Sequence, residues 1–203
     1  MARLIYSMIT SLDGYVSGPH GGFDWALDDE LHDFINRQFA DVGTYLYGRR
    51  MYETMVYWET AHLEPDQPQV GIDYARVWQA ADKVVFSKTL ADVSSERTRL
   101  ERTFDPEAVE RWKAESDSDF SVDGPTLAAE AIRADLVDEF GLFIGPGIVG
   151  GRQAVLPRRC ARRSRAARRP ALQQRGDVPP VRDATVTGAP GVTGARERCG
   201  PRR

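Results

Sequence analysis

Cysteine is scarce in this 203-residue chain: there are two, Cys160 and Cys199, both in the last quarter. Two thiols there make no disulfide framework, so any fold must be held by burial alone. No apolar run is long enough to span a bilayer, and the N-terminus lacks the basic-then-apolar pattern of a signal peptide. The expected location is the cytoplasm, with no membrane partner. The three histidines, His20, His32 and His62, are scattered and form no metal-ligand set. Neither a Gly-x-Ser-x-Gly elbow nor a Walker loop occurs.

The largest deficits are regional. All 4 Trp, 7 Tyr and 8 Phe lie before residue 151, and nothing aromatic follows. Residues 1–150 carry 13 Lys and Arg against 27 Asp and Glu, whereas residues 151–203 carry 14 Arg and no Lys against 3 acids. A segment so poor in apolar side chains cannot offset its ordering entropy. The chain therefore divides into a globular domain over 1–151 and a disordered, arginine-rich tail over 152–203.

Strands and helices alternate through the first part. "RLIYSMIT" is a β-prone run that ends at an Asp13-Gly14 turn. "LDDELHDFINRQF" puts Leu27, Leu31, Phe34, Ile35 and Phe39 on one helical face, with acids in its first turn. "GTYLYG" is a short strand, and "RRMYETMVYW" returns to helical spacing through Met51, Met55 and Trp58. A helix near Tyr74–Ala81 leads into the buried-strand run "KVVFSK", and "RTRLER" alternates as a strand does. "DPEAVERWKAE" starts as helices start, "DFSVDG" is a strand, "PTLAAEAIRAD" a proline-opened helix and "LVDEFGLFIGP" a strand. This order predicts an α/β domain with helices packed on a sheet.

Three places could hold phosphate. In "SVDGPTLAAEAI" a strand, a tight Gly turn and a helix leave backbone N–H groups free around Gly124, Thr126 and Leu127, although such turns also serve as plain connections. Gly48, Arg49 and Arg50 repeat the arrangement, with arginines where the helix dipole disfavours them. An anion would account for both, and a surface acid for one. Ser87, Lys88 and Thr89 end a strand with three donors, as a phosphate monoester requires, or as a lysine-protected strand edge would. Together they imply a nucleotide at one end of the sheet. Asp13 could orient or protonate a substrate, while Asp-Gly is also simply a good turn.

Taken in order, "LIYSMITSLDGYVSG", "FDW", "VGTYLYGRRMYETM", "KVVFSKTL" and "SVDGPTLAAEAIRADLVDEFGLFIGPGIVGG" resemble the dihydrofolate reductase-like proteins of the riboflavin-reductase C-terminal domain type. The resemblance implies a three-layer α/β/α fold on a mixed, mostly parallel sheet, a homodimer, and NADPH as the hydride donor to a small-molecule substrate. It implies that Gly48, Arg49 and Arg50 serve the dinucleotide phosphates and that Ser87, Lys88 and Thr89 serve the adenosine 2′-phosphate region. Gly124, Pro125, Thr126 and Leu127 would serve the pyrophosphate, with Asp13 as the catalytic candidate and Asp13 and Gly14 beside nicotinamide and substrate. The aminouracil reduction of riboflavin synthesis is one substrate analogy; an unknown small heterocycle is the other.

The pattern departs from the family after Gly151, where two closing strands are expected. Residues 152–203 contain no Phe, Tyr, Met, Ile, Asn or Lys, and Arg, Ala, Pro and Gly fill 33 of the 52 positions. A GC-rich gene read out of frame has this composition. Shifting the back-translation of "RQAVLPRR" by one base admits "GKPFFPD", and shifting "LQQRGDVPPVRD" admits an amphipathic final strand. The tail is thus read as a frameshift product that leaves the C-terminal strands missing. The alternative is an arginine arm that binds nucleic acid non-specifically. The frame-corrected protein should melt at a higher temperature and be the more active of the two. Equal melting curves and equal turnover would overturn this account of the tail.

Overall fold

The structure, a computed structural model, describes residues 1–21 and 29–157. Of the two units into which the chain divides, Met1–Arg165 and Ala166–Arg203, only the first contains described residues. Leu27, the "FDW" motif and the tail from residue 158 onward lie outside them.

Six strands form one sheet: β1 (Leu4–Thr10), β2 (Val42–Gly48), β3 (Asp82–Phe86), β4 (Thr98–Glu101), β5 (Asp119–Asp123) and β6 (Glu139–Ile144). Their order is β4-β3-β2-β5-β1-β6, and each of the five ladders is parallel. Five helices accompany them: α1 (Asp29–Phe39), α2 (Arg49–Met55), α3 (Gln69–Ala80), α4 (Pro106–Glu115) and α5 (Pro125–Arg133). From β1 to β2 and from β2 to β3 the chain steps toward the β4 edge, and α1 and α3 cover one face. From β4 to β5 and from β5 to β6 it steps back, and α4 and α5 cover the other. Right-handed crossovers require this reversal of face when the direction reverses. The expected three-layer α/β/α architecture results.

Helix starts follow local chemistry. Asp105 accepts a hydrogen bond from the Glu107 backbone N–H at 3.1 Å, and Pro106 opens α4 with its fixed φ. α3 begins at Gln69, five residues before the start expected at Tyr74, because Pro68 ends the loop and leads directly into the helix. The helical spacing read through Trp58 also tightens: α2 stops at Met55 and a 3₁₀ turn, Val56–Glu59, carries the chain on.

Each face of the sheet has its own core. Leu4, Tyr6, Leu46, Val84, Phe120 and Val122 pack beneath α4 and α5. Tyr45, Tyr47, Val85, Tyr74 and Trp78 form the opposite core with Ile35 and Phe39 of α1. Trp78 is fully buried; its Nε1–H donates to the Tyr47 hydroxyl at 3.0 Å, and the Lys83 ammonium lies 4.2 Å from its ring centre.

β6 is an edge among the described strands. Phe140, Leu142 and Ile144 alternate along it, 39, 36 and 61% exposed, on the side that carries Tyr6. Phe143 points the other way and meets Phe34 edge-on at 6.0 Å. Two substitutions should separate core from edge in urea unfolding. Trp78→Ala should cost about 3–5 kcal/mol. Leu142→Thr should change stability by no more than about 1 kcal/mol, since much of its surface is already in water. Similar losses at both positions would show that β6 is covered in solution.

Candidate functional site

Because every described strand runs the same way, the turns after β2, β3 and β5 emerge side by side at one end of the sheet. They line one cleft of about 1650 Å³. That exceeds the roughly 300–1,000 Å³ of an ordinary small-molecule pocket, so the cleft has room for two ligands. Gly48, Arg49, Arg50, Ser87, Lys88, Thr89, Gly124, Pro125, Thr126 and Leu127 all line it. Ten residues from three separated stretches of sequence thus share one surface.

At the outer end the charges are positive and mostly unpaired. Arg49 donates from Nε to Glu53 at 2.7 Å and from Nη1 to the Thr89 hydroxyl at 2.9 Å, which ties α2 to the turn after β3. Arg50 and Lys88 are exposed and have no carboxylate partner among the described residues. The Ser87 hydroxyl is engaged inside its own turn, accepting from the N–H groups of Thr89 and Leu90 at 3.2 and 2.9 Å. Arg102, just past the end of β4, also lines the cleft, and its Nη1 donates to the Leu90 carbonyl at 2.6 Å. It went unnoticed in the sequence, although an arginine beyond a strand end beside "FSKT" was the available signal.

Gly124 has φ +87°, a conformation that favours glycine. A Cβ there would also stand 3.2 Å from the Met51 side chain. The turn therefore brings bare backbone to the cleft where α5 starts, and Pro125 occupies the first helical position, where no N–H is needed.

The inner end is apolar and aromatic. His32 lies 5.7 Å from the Trp58 ring and 5.6 Å from that of Tyr74, and Trp58 and Tyr74 meet edge-on at 4.7 Å. Burial lowers the His32 pKa, which favours its neutral form. In this wall stands a carboxyl group, Asp123, the last residue of β5 and only 6% exposed. Strand alternation places it with Ser121 on the face opposite Phe120 and Val122. The Ser121 hydroxyl donates to its Oδ1 at 2.9 Å, and no other hydrogen bond reaches the carboxyl among the described residues. Burial raises its pKa to about 7 against the lowering effect of the Ser121 bond. An acid inside a buried parallel strand, one position before a glycine turn, was the sequence signal for it.

Asp13 and Gly14 do not line the cleft. The Asp13 carboxylate is exposed and accepts from the Ser11 hydroxyl at 2.6 Å and from the N–H groups of Val149 and Gly150 at 3.2 and 2.9 Å. Those bonds hold its pKa below the usual aspartate value, the Ser11 bond first. Asp13 thereby fastens the segment after β6 to the turn after β1. The Tyr15–Ala154 bridge extends that junction, and Val16, Ser17 and Gln153 reach the cleft wall from it. Among the described residues no cluster of His, Cys, Asp or Glu could hold a metal, and no helix is long and apolar enough to cross a membrane.

The model of the RibD C-terminal domain family matches residues 2–164. The uncharacterized protein YyaP of Bacillus subtilis strain 168 is 26% identical over 151 residues, 73% of this chain and 77% of that one. A protein ascribed to riboflavin biosynthesis in Shewanella sp. PV-4 has a similar structure, with a TM-score of 0.58 and 20% identity over 77% of this chain and 84% of its own. The diaminohydroxyphosphoribosylaminopyrimidine deaminase/5-amino-6-(5-phosphoribosylamino)uracil reductase of Thermotoga maritima gives 0.54 and 16% identity, over 76% of this chain and 48% of its own. Both likenesses concern the fold.

Asp123 should leave a signature in stability against pH. Below about pH 4 the carboxyl is protonated whether the chain is folded or not. Between there and about pH 7 the unfolded chain releases a proton that the folded protein keeps, so stability falls as pH rises and then levels off. Asp123→Asn cannot ionise and escapes this fall. Relative to the unsubstituted protein it should gain on the order of 3–4 kcal/mol between pH 4 and pH 8 in denaturant unfolding. A difference that stays constant with pH would show that Asp123 is not held neutral.

Proposed function

The chain belongs to the RibD C-terminal domain family, and from that premise we propose that it is an oxidoreductase that uses NADPH to reduce a small heterocyclic compound. The observation that carries this reading is the meeting, in one cleft, of unpaired cations, a bare glycine turn at a helix start and an aromatic inner wall. When bound, a reduced nicotinamide supplies a hydride.

The residues suit that cofactor in kind. Arg50 and Lys88 provide cations without a carboxylate partner among the described residues, and Arg49 and Thr89 are already held together between them. In this reading they take the 2′-phosphate and its neighbours, since guanidinium and ammonium groups favour a dianionic monoester. The Gly124–Leu127 stretch receives the pyrophosphate: glycine leaves room for a phosphate oxygen, and the first N–H groups of α5 lack helical partners. His32, Trp58 and Tyr74 form the wall for a flat substrate and exclude water from it. Asp13 acts at one remove, by holding the junction that carries Val16, Ser17 and Gln153.

The cationic end distinguishes the two nicotinamide cofactors. In isothermal titration NADPH should bind at least about tenfold more tightly than NADH, a difference of about 1.4 kcal/mol. Lys88→Ala should narrow that gap while altering NADH affinity little. Equal affinities for the two cofactors would remove the assignment of Arg50 and Lys88 to the extra phosphate.

A further inference from the structure

We propose that Asp123, whose carboxyl has one partner among the described residues and lines the cleft together with His32, Trp58 and Tyr74, is the specificity residue for a planar heterocycle and hydrogen-bonds a ring carbonyl or ring nitrogen as a neutral acid. This deepens the reductase reading, since it names the group that recognises the substrate ring.

The argument starts from the cost of the side chain. A carboxyl in apolar surroundings is expensive unless its oxygens are paired. Ser121 satisfies part of Oδ1, and among the described residues nothing bonds to Oδ2. A central strand could hold valine or glycine here at no such cost, so the position is one where a local rule is broken without an evident structural gain. Asp123 lines the cleft, so a ligand there can reach it.

The surroundings determine its form. Among the described residues the titratable side chains that interact with Asp123 are Tyr6 of β1, Tyr45 and Tyr47 of β2 and Tyr74 of α3, and their pKa values are raised, with burial the main cause. All four are uncharged near neutrality. Arg49, Arg50 and Glu130 line the cleft from α2 and α5, and His32 from α1, yet the influences that set the Asp123 carboxyl are burial and the Ser121 hydrogen bond. Among the described residues no cation holds a carboxylate here, so below about pH 7 the neutral acid is the main form, and its O–H is a donor seeking an acceptor. The walls supply the shape of that acceptor. Rings from α1, α3 and the turn after α2 stand 4.7 to 5.7 Å apart, centre to centre. A flat ring packs against such faces, and an acceptor on its edge meets Asp123.

Quinazolin-4-one, a flat bicycle with a ring carbonyl, serves as the probe, with fluorescence of the cleft tryptophan or titration calorimetry as the readout. Its affinity should be about tenfold or more weaker at pH 8.5 than at pH 6, because only the protonated fraction of Asp123 binds. Asp123→Asn, which keeps an N–H donor, should bind the probe at both pH values without that dependence. Asp123→Leu should lose about tenfold or more at pH 6. An infrared carbonyl band that titrates near neutrality and disappears in Asp123→Asn identifies the acid directly, whether or not the leucine variant folds. Affinity independent of pH in the unsubstituted protein, or undiminished in a folded Asp123→Leu, overturns the proposal. NADPH titration of the same preparations separates the two readings. Probe binding that keeps its pH dependence without any NADPH binding overturns the cofactor assignment and supports Asp123. NADPH binding with pH-independent probe affinity does the reverse.

Discussion

Parallel pairing sets the terms for this molecule, because strands that all run the same way must all end on the same side. A parallel ladder forces each connection to cross the sheet, and right-handedness decides which face it crosses. The crossovers that step toward the β4 edge use one face and the return crossovers the other. At the strand ends, the turns after β2, β3 and β5 then have no choice but to be neighbours. The cleft follows from topology before any side chain is considered, and open parallel sheets in general bind ligands outside the carboxyl ends of their strands.

Within that frame the chemistry is divided along the cleft. The outer end gathers cations on α2 and on the turn after β3, where water screens their mutual repulsion. The inner end gathers rings and one buried carboxyl. Such a gradient lets one ligand be held chiefly by charge and another by stacking and a single directed hydrogen bond. It also explains why the molecule tolerates Asp123. The surrounding core, with Trp78, Tyr45 and Tyr47 fully buried, contributes enough burial to carry one destabilising group.

Much of this was legible in the chain. The alternation of apolar runs with amphipathic stretches gave the α/β class, and glycine or polar clusters at strand ends marked Gly48, Ser87 and Gly124 as cleft positions. Each of those is a local pattern. What escaped is what depends on distant partners. Trp58 read as a helix-face residue, Tyr74 as a helix start and His32 as one of three scattered histidines, and they become one wall only when three elements pack together. Arg102 looked like the end of an alternating strand. Asp13 gave a correct turn, but its carboxylate is claimed by amides 136 and 137 residues further on, which no local reading could foresee. Asp123 read only as the end of a strand, and its burial on the cleft face shows only when β5 lies between β1 and β2.

The sheet order also has a consequence for how the protein is made. β1 lies between β5 and β6, so its first partner, the Phe120 region, is 116 residues away from Leu4. A ribosome adding about 5–20 residues per second reaches that partner roughly 6–23 s after β1 is synthesised, with the exit tunnel adding further delay. During that interval β2, β3 and β4 can pair with one another, whereas "LIYSMIT" has nowhere native to go. An apolar strand left waiting in this way is a natural client for a chaperone that holds extended segments. It also makes folding in the cell depend on the pace of translation through β5 as much as on the final stability of the sheet.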